Sequence, residues 1–291
     1  MAVFPRKPYA LKLKSGALEL GGRTLVMGIV NVTPDSFSDA GQCYDYEAAV
    51  QRASEMVAAG ADLLDIGGES TRPRAEPVPV GLELERVIPV ITAIRKLSDI
   101  PIAIDTTKAE VAGQALAAGA DIINDVSALR FDHLMVDVAA RSGAPLILMH
   151  MQGTPRTMQQ NPSYVSLFSE IIAFLEERMR FAADHGVERQ QLIVDPGIGF
   201  GKNLGHNLSI IRNLEIFHCL DRPLLLGASR KRFIGAVLDR PVQDRELGTA
   251  VVHSFGIAAG VHIIRTHDVA FHRQVALMSD AIREPAQDRK R

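Results

Sequence analysis

Cysteine is scarce in this chain. Cys43 and Cys219 are the only two among 291 residues; they form no Cys-x-x-Cys pair and have no metal-ligand spacing. This excludes a disulfide framework and a thiolate metal site, and it fits two free thiols in a reducing cytoplasm. Surplus charge is scarce too. The formal net charge is −2, so bulk attraction to nucleic acid or to a membrane surface is not expected, and any anion site has to be a local cluster. No apolar run approaches the roughly 20 residues of a membrane span. The N-terminal basic residues precede no long apolar core, and Pro5 and Pro8 interrupt the segment. No secretory signal is expected, and the cytoplasm is the expected compartment.

A glycine-rich phosphate turn is also missing. Asn31-Val32-Thr33-Pro34-Asp35 follows the first strand, where a doubly wound nucleotide-binding sheet would place that turn. What the chain has instead is repetition. Eight short apolar runs each end in a polar residue or lead into one: Leu25–Asn31, Asp62–Gly68, Ile100–Asp105, Ile122–Asp125, Pro145–His150, Leu192–Asp195, Leu224–Ser229 and His262–His267. Segments with helical spacing lie between them, at Tyr46–Ala59, Glu83–Leu97, Lys108–Ala118, Leu134–Ser142, Ser163–His185, Asn207–Asn213, Leu247–Ala259 and Phe271–Ile282. Gly60-Ala61-Asp62 and Gly119-Ala120-Asp121 repeat a helix-ending glycine just before a strand. The pattern predicts an α/β fold, a (β/α)8 TIM barrel, whose active site gathers at the C-terminal ends of the strands. Hydrophobic content of 47% supplies such a core. Residues 9–24 read as a β-hairpin that plugs the N-terminal face. The expected division is an extension and hairpin over 1–24, one barrel domain over 25–283, and a charged tail over 284–291. The loops after the first two strands are long and rich in Pro, Gly, Ser and Asp, which points to lids or substrate clamps.

In a barrel the polar strand ends can be read together. Asn31, Asp105, Asn124, Asp195, Lys231, Arg265 and His267 converge on one mouth although they are far apart in sequence. Each residue has a plainer reading taken alone. Asp105, before Thr106-Thr107-Lys108, could cap a helix. Arg265 could pair with Asp268 or Glu246. His150, also at a strand end, could be structural.

Two stretches narrow the reading: Met27-Gly28-Ile29-Val30-Asn31-Val32-Thr33-Pro34-Asp35-Ser36-Phe37-Ser38-Asp39 and Ala61-Asp62-Leu63-Leu64-Asp65-Ile66-Gly67-Gly68-Glu69-Ser70-Thr71-Arg72-Pro73. Six more follow in order: Ile104-Asp105-Thr106, Ile123-Asn124-Asp125, Met149–Gly153, Asp195–Lys202, Ser229-Arg230-Lys231 and Arg265–Asp268. Together they closely resemble the dihydropteroate synthase family, over about residues 10–283. The resemblance implies condensation of 7,8-dihydropterin-6-ylmethyl diphosphate with 4-aminobenzoate, giving 7,8-dihydropteroate and diphosphate, with Mg²⁺ as cofactor and a homodimer as assembly. It implies that Asp105, Asn124, Met149, Asp195, Phe200 and Lys231 bind the pterin, and that Asn31, Arg72, Arg265 and His267 bind diphosphate. Asn31 then ligates the metal, with Asp35 helping. Phe37, Thr71, Pro73, Phe200, Ser229 and Lys231 receive the aminobenzoate, with the Ser229–Lys231 stretch at a helix start taking its carboxylate. Asp105, Lys231, Arg265 and His267 are the implied catalytic residues. The residue types suit that chemistry: a pterin edge rich in N–H donors needs buried acceptors, and a departing diphosphate needs cations. Thr266 and Arg232 depart from the family pattern, where Val and Ser are common, and Arg232 puts the aminobenzoate affinity in question. Two other readings stay open: a pterin-binding methyltransferase of the methyltetrahydrofolate–corrinoid type, and a non-catalytic pterin-binding paralogue.

Overall fold

The structure is a computed structural model and describes residues 3–33, 41–70 and 76–284. The loop residues Asp35, Phe37, Thr71, Arg72 and Pro73, and residues 285–291 of the expected tail, lie outside the described residues.

The chain opens with a hairpin of β1 (Tyr9–Leu13) and β2 (Gly16–Leu20), paired Leu11 to Leu18. Gly16 makes the turn at φ +139°, backbone that other residues seldom adopt. Leu11, Leu13, Leu18 and Leu20 share the buried face, as alternation along a strand requires.

Eight parallel strands follow: β3 (Leu25–Asn31), β4 (Leu63–Gly67), β5 (Ile102–Asp105), β6 (Ile122–Asp125), β7 (Leu146–Met149), β8 (Leu192–Asp195), β9 (Leu225–Gly227) and β10 (Ile263–Thr266). Their order is β8-β7-β6-β5-β4-β3-β10-β9, and a parallel bridge from Val194 to Leu224 closes the ring. The connecting helices are α1 (Gly41–Ala58), α2 (Val80–Leu97), α3 (Ala109–Ala118), α4 (Met135–Ser142), α5 (Leu167–Asp184), α6 (Leu204–Arg212), α7 (Arg232–Leu238), α8 (Glu246–Ala258) and α9 (Val269–Arg283). This is the expected barrel with its hairpin. Several bounds differ from the sequence reading: α2 starts at Val80 rather than Glu83, α5 at Leu167 rather than Ser163 and α6 at Leu204 rather than Asn207. Helix α1 begins at Gly41 rather than Tyr46. Helix α7 is expected only as a start after Ser229–Lys231 and not as a span, because seven residues are too short to display a helical period.

Barrel strands are buried on both faces, so each run is apolar nearly throughout. The outward residues, such as Val26, Leu64, Ile104, Ile123, Leu148, Val194 and Ile264, join the core beneath the helices. The inward residues Met27, Leu63, Ala103, Ile122, Ile147, Ile193, Leu225 and Ile263 form a second cluster with the four hairpin leucines. The hairpin therefore floors the lumen at its N-terminal end. Burying a leucine contributes about 1.5–3 kcal/mol, so the plug holds the barrel together as well as closing it. None of the described helices is long and apolar enough to cross a membrane.

Candidate active site

The apolar floor fixes what stands above it. Two residues further along each strand the side chain points inward again. Those positions are Ile29 on β3, Asp65 on β4, Asp105 on β5, Asn124 on β6, Met149 on β7, Asp195 on β8, Gly227 on β9 and Arg265 on β10. Five of these eight positions are polar, so the lumen turns largely polar above its apolar floor. Gly227 marks the centre of the change. A Cβ placed there would lie 3.6 Å from Asp195 Oδ2 and 3.9 Å from both Arg265 Cδ and Lys231 Nζ. Asn31 continues the inward series on β3, half-buried at the rim, in register with Gly67, which is itself in register with Asp105.

Arg265 is tied down from two sides. Its Nε donates to Asp65 Oδ2 at 2.5 Å and its Nη2 to Asp105 Oδ2 at 2.8 Å. Neither Asp268 nor Glu246 is its partner: Asp268 caps α9 and Glu246 pairs with Arg230 and His272. Asp105 is no helix cap either, since Lys108 precedes α3. Asn124 Nδ2 donates to Asp65 Oδ2 at 3.0 Å. Among the described residues Asp65 Oδ1 and Asp105 Oδ1 are buried with no hydrogen-bond partner, so both carboxylates keep an acceptor to spare.

Burial in the lumen shifts these groups. Burial, with Asp65 beside it, pushes the Asp105 carboxyl up to about 8. Burial also raises Asp195, against the pull of Lys231 and a 2.7 Å hydrogen bond from the Gly197 amide. Burial lowers Lys231 to about 8, while Asp195 works to keep it charged. For Arg265 burial opposes the charge, but Asp65 and Asp105 outweigh it and hold the guanidinium protonated. Buried titratable groups shifted by desolvation and by specific charged neighbours concentrate at functional sites.

The loop after β8 completes one wall. Gly197 sits at φ +71°, and a Cβ there would lie 1.9 Å from the His150 carbonyl oxygen, so the turn admits only glycine. The turn carries Ile198, whose carbonyl accepts from Lys231 Nζ, and Phe200, whose ring centroid lies 4.6 Å from that ammonium. Phe200 packs with Met149, Val126, Met151 and Met158 in a small apolar cluster on this side of the barrel. Lys202 ends the loop inside the protein. Its Nζ bonds His150 Nδ1 at 2.8 Å and the Phe200 carbonyl at 3.0 Å. Burial lowers His150 to about 2 and Lys202 well below the usual range. His150 is therefore a neutral structural partner, set edge-on to Phe174.

On the other wall Ser229 Oγ lies 2.9 Å from His267 Nδ1 and accepts the His267 amide at 3.2 Å. One expectation needs correction here. The Ser229–Lys231 stretch does precede a helix, but α7 has only seven residues, and Arg230 is turned away to Glu246 at 2.5 Å. Of this stretch, Ser229 and Lys231, and not Arg230, keep their side chains beside the strand ends.

The structure thus brings together Asp105, Asn124, Met149, Asp195, Phe200, Lys231 and Arg265, with Ser229 and His267 as a pair beside them and Asn31 at the rim. The sequence reading missed Asp65 and gave Lys202 no role. A charged residue inside the apolar run Leu63-Leu64-Asp65-Ile66 was the available signal for Asp65. Nothing local marks Lys202 as buried.

Known proteins carry the same pattern. The family description of pterin binding enzymes matches residues 27–267. The dihydropteroate synthase of Synechocystis sp. is 46% identical over 276 residues, spanning 94% of this chain and 96% of that protein. A crystal structure of Yersinia pestis dihydropteroate synthase in a sulfonamide drug complex superposes with a TM-score of 0.90 at 41% identity, covering 94% of this chain and 99% of that one. Xanthomonas albilineans dihydropteroate synthase with 4-aminobenzoic acid gives 0.89 at 42% identity, covering 95% and 98%. By its sequence and by its fold, the chain belongs to the pterin-binding enzyme family, among the dihydropteroate synthases.

Proposed function

We propose that the protein, acting in the cytoplasm, condenses 7,8-dihydropterin-6-ylmethyl diphosphate with 4-aminobenzoate to give 7,8-dihydropteroate and diphosphate. One observation carries the reading: the buried strand ends that gather Asp105, Asn124 and Asp195 with Lys231 and Arg265. Three buried acceptors suit the donor-rich edge of a pterin. Lys231 donates to the ring carbonyl and N5, and Met149 and Phe200 pack on the ring faces. Hydrogen bonds to charged groups of this kind contribute about 1.5–3 kcal/mol each.

The reaction follows from the leaving group. The bond between the pterin methylene and the diphosphate oxygen breaks, and its electron pair leaves with the diphosphate. Arg265 uses two of its N–H donors on carboxylates, and a guanidinium has five, so donors remain for phosphate oxygens. His267 and Arg72 are the other proposed anion contacts. The cation left on the methylene is delocalised over the ring, and Asp105 stabilises it through the ring N8–H. The aniline nitrogen of 4-aminobenzoate then attacks the methylene and releases its proton. No covalent enzyme nucleophile is required, and placed charges do most of the work. Phe37, Thr71, Pro73 and Phe200 wall the aminobenzoate slot, and Ser229 and Lys231 meet its carboxylate.

Mg²⁺ fits the rim of this pocket. Asn31 offers a neutral oxygen there, with Asp35 as its proposed helper, and among the described residues no cluster of three or more His, Cys, Asp or Glu side chains could cage the ion. A hard cation held by one or two protein oxygens, phosphate oxygens and water matches that donor set. When bound it neutralises charge on the departing diphosphate.

We also propose a homodimer. Leu247, Val251 and Phe255, four residues apart, form an exposed stripe along α8, and Leu208 on α6 and Val237 on α7, two helices that contact α8, are exposed as well. A second copy of the same face covers such a patch. Light scattering should give twice the chain mass.

Turnover tests the function. With both substrates and Mg²⁺, mass spectrometry should find dihydropteroate and diphosphate in equal amounts. Methyl transfer from methyltetrahydrofolate without diphosphate release would favour the methyltransferase reading, and no turnover at all the non-catalytic one.

A further inference from the structure

We propose that Asp65 is a positioning residue of the pterin pocket: its carboxylate fixes which end of the Asn124 amide and which edge of the Arg265 guanidinium face the ligand. The inference rests on the pterin reading of the site. Asp65 lies in the middle of β4, in register with Ile29 and Ala103, and is fully buried. One oxygen, Oδ2, accepts from Arg265 Nε on β10 at 2.5 Å and from Asn124 Nδ2 on β6 at 3.0 Å. The side chain therefore joins strands on either side of β4, across the lumen.

Chemistry gives the contact to Asn124 a direction. An ionised carboxylate only accepts hydrogen bonds, whereas an amide has one accepting and one donating end. The reversed amide would set its oxygen against Asp65 Oδ2 and lose the bond. With Nδ2 committed to Asp65, the Asn124 oxygen is left to the pocket, and it selects an N–H donor on the ligand. Free of Asp65 the amide could turn, and half its orientations would offer a donor to a donor. Arg265 is constrained in the same way: Nε on Asp65 and Nη2 on Asp105 fix the guanidinium plane.

Calorimetry with 6-hydroxymethylpterin tests this in the full-length protein, with a thermal melt for each variant. Asp65→Ala should weaken pterin binding about tenfold or more and leave the KM for 4-aminobenzoate within about threefold. Asp65→Asn keeps an accepting oxygen and should recover most of the affinity. Because Asp65 acts partly through Asn124, the Asp65→Ala/Asn124→Ala double variant should bind far more tightly than the product of the two single losses allows. If Asp65→Ala does not fold, Asp65→Ser replaces it, since its hydroxyl is too short to hold the Asn124 amide. Wild-type affinity in Asp65→Ala, beside a large loss in Asn124→Ala, would overturn the positioning role alone. Losses that multiply fully in the double variant would also overturn it. Wild-type affinity in Asn124→Ala would bring down the pterin reading itself, and this proposal with it.

Discussion

Replacing Gly227 by alanine should separate binding from folding. The added methyl would meet Asp195 Oδ2 at 3.6 Å and Arg265 Cδ and Lys231 Nζ at 3.9 Å, all ordinary van der Waals contact. Gly227 has no positive φ, so the backbone accepts a side chain without strain. Such a Gly→Ala change stabilises by about 0.4–1 kcal/mol, because the unfolded chain loses freedom. The melting temperature should therefore hold or rise slightly. The same methyl stands beside Asp195 and Lys231, proposed to hold the pterin, and beside Arg265, proposed to hold the diphosphate, where a flat ring has to fit closely. Overpacking of this size costs about 1–3 kcal/mol, which is a loss of about 5–150-fold in affinity. Calorimetry with 6-hydroxymethylpterin reads the affinity and a thermal melt reads the fold. An affinity within twofold of wild type would place the ring away from Gly227 and refute the reasoning. A clear drop in melting temperature would show that the lumen at this level has no room, and would refute it from the other side.

Other outcomes follow from the same geometry. Asp195→Ala removes a buried acceptor and should cost about 2–5 kcal/mol in pterin binding, whereas Cys219→Ala, at an exposed thiol, should keep full activity; near-native calorimetric affinity in the Asp195 variant would remove it from the pocket. Sulfonamides should compete with 4-aminobenzoate in steady-state kinetics, and a non-competitive pattern would count against a shared slot at Phe200, Ser229 and Lys231. His262 supplies a pH test of the fold. Burial lowers it from 6.5 to about 4, and it stays neutral between the Leu224 amide and the Lys7 carbonyl. Its folded value is below its unfolded one, so its contribution is present above about pH 6.5 and is lost as pH falls towards 4, by up to about 3 kcal/mol. Denaturant unfolding should show His262→Gln losing less stability than wild type between pH 7 and pH 4; an equal or greater loss would contradict this.

The barrel was legible because its strands are buried on both faces. Most inward series run from an apolar floor residue to a polar one, as Ala103 to Asp105, Ile122 to Asn124, Ile193 to Asp195 and Ile263 to Arg265. A polar residue at the end of an apolar run stands out in the sequence, and the site is made of such residues. Asp65 was harder to see because Ile66 and Gly67 continue the strand beyond it. The extent of helix α7, though not its start, escaped the reading for lack of length. Partner choice was the least legible property. Arg265 could have met Asp268 or Glu246, which are near in sequence, yet the closed ring sets it against Asp65 and Asp105 on other strands. Arg230 seemed part of an anion site until α8 placed Glu246 beside it. Lys202 and His150 find each other only because β7 and β8 are neighbours.

A crystal structure with 6-hydroxymethylpterin bound tests the central claim most directly. The account predicts the ring inside the lumen above Gly227, with its amino and ring N–H groups on the Asp195 carboxylate and the Asn124 oxygen and with Lys231 at its carbonyl. A ring bound elsewhere, or one in the lumen that turns an acceptor edge towards Asp195 and Asn124, would contradict it.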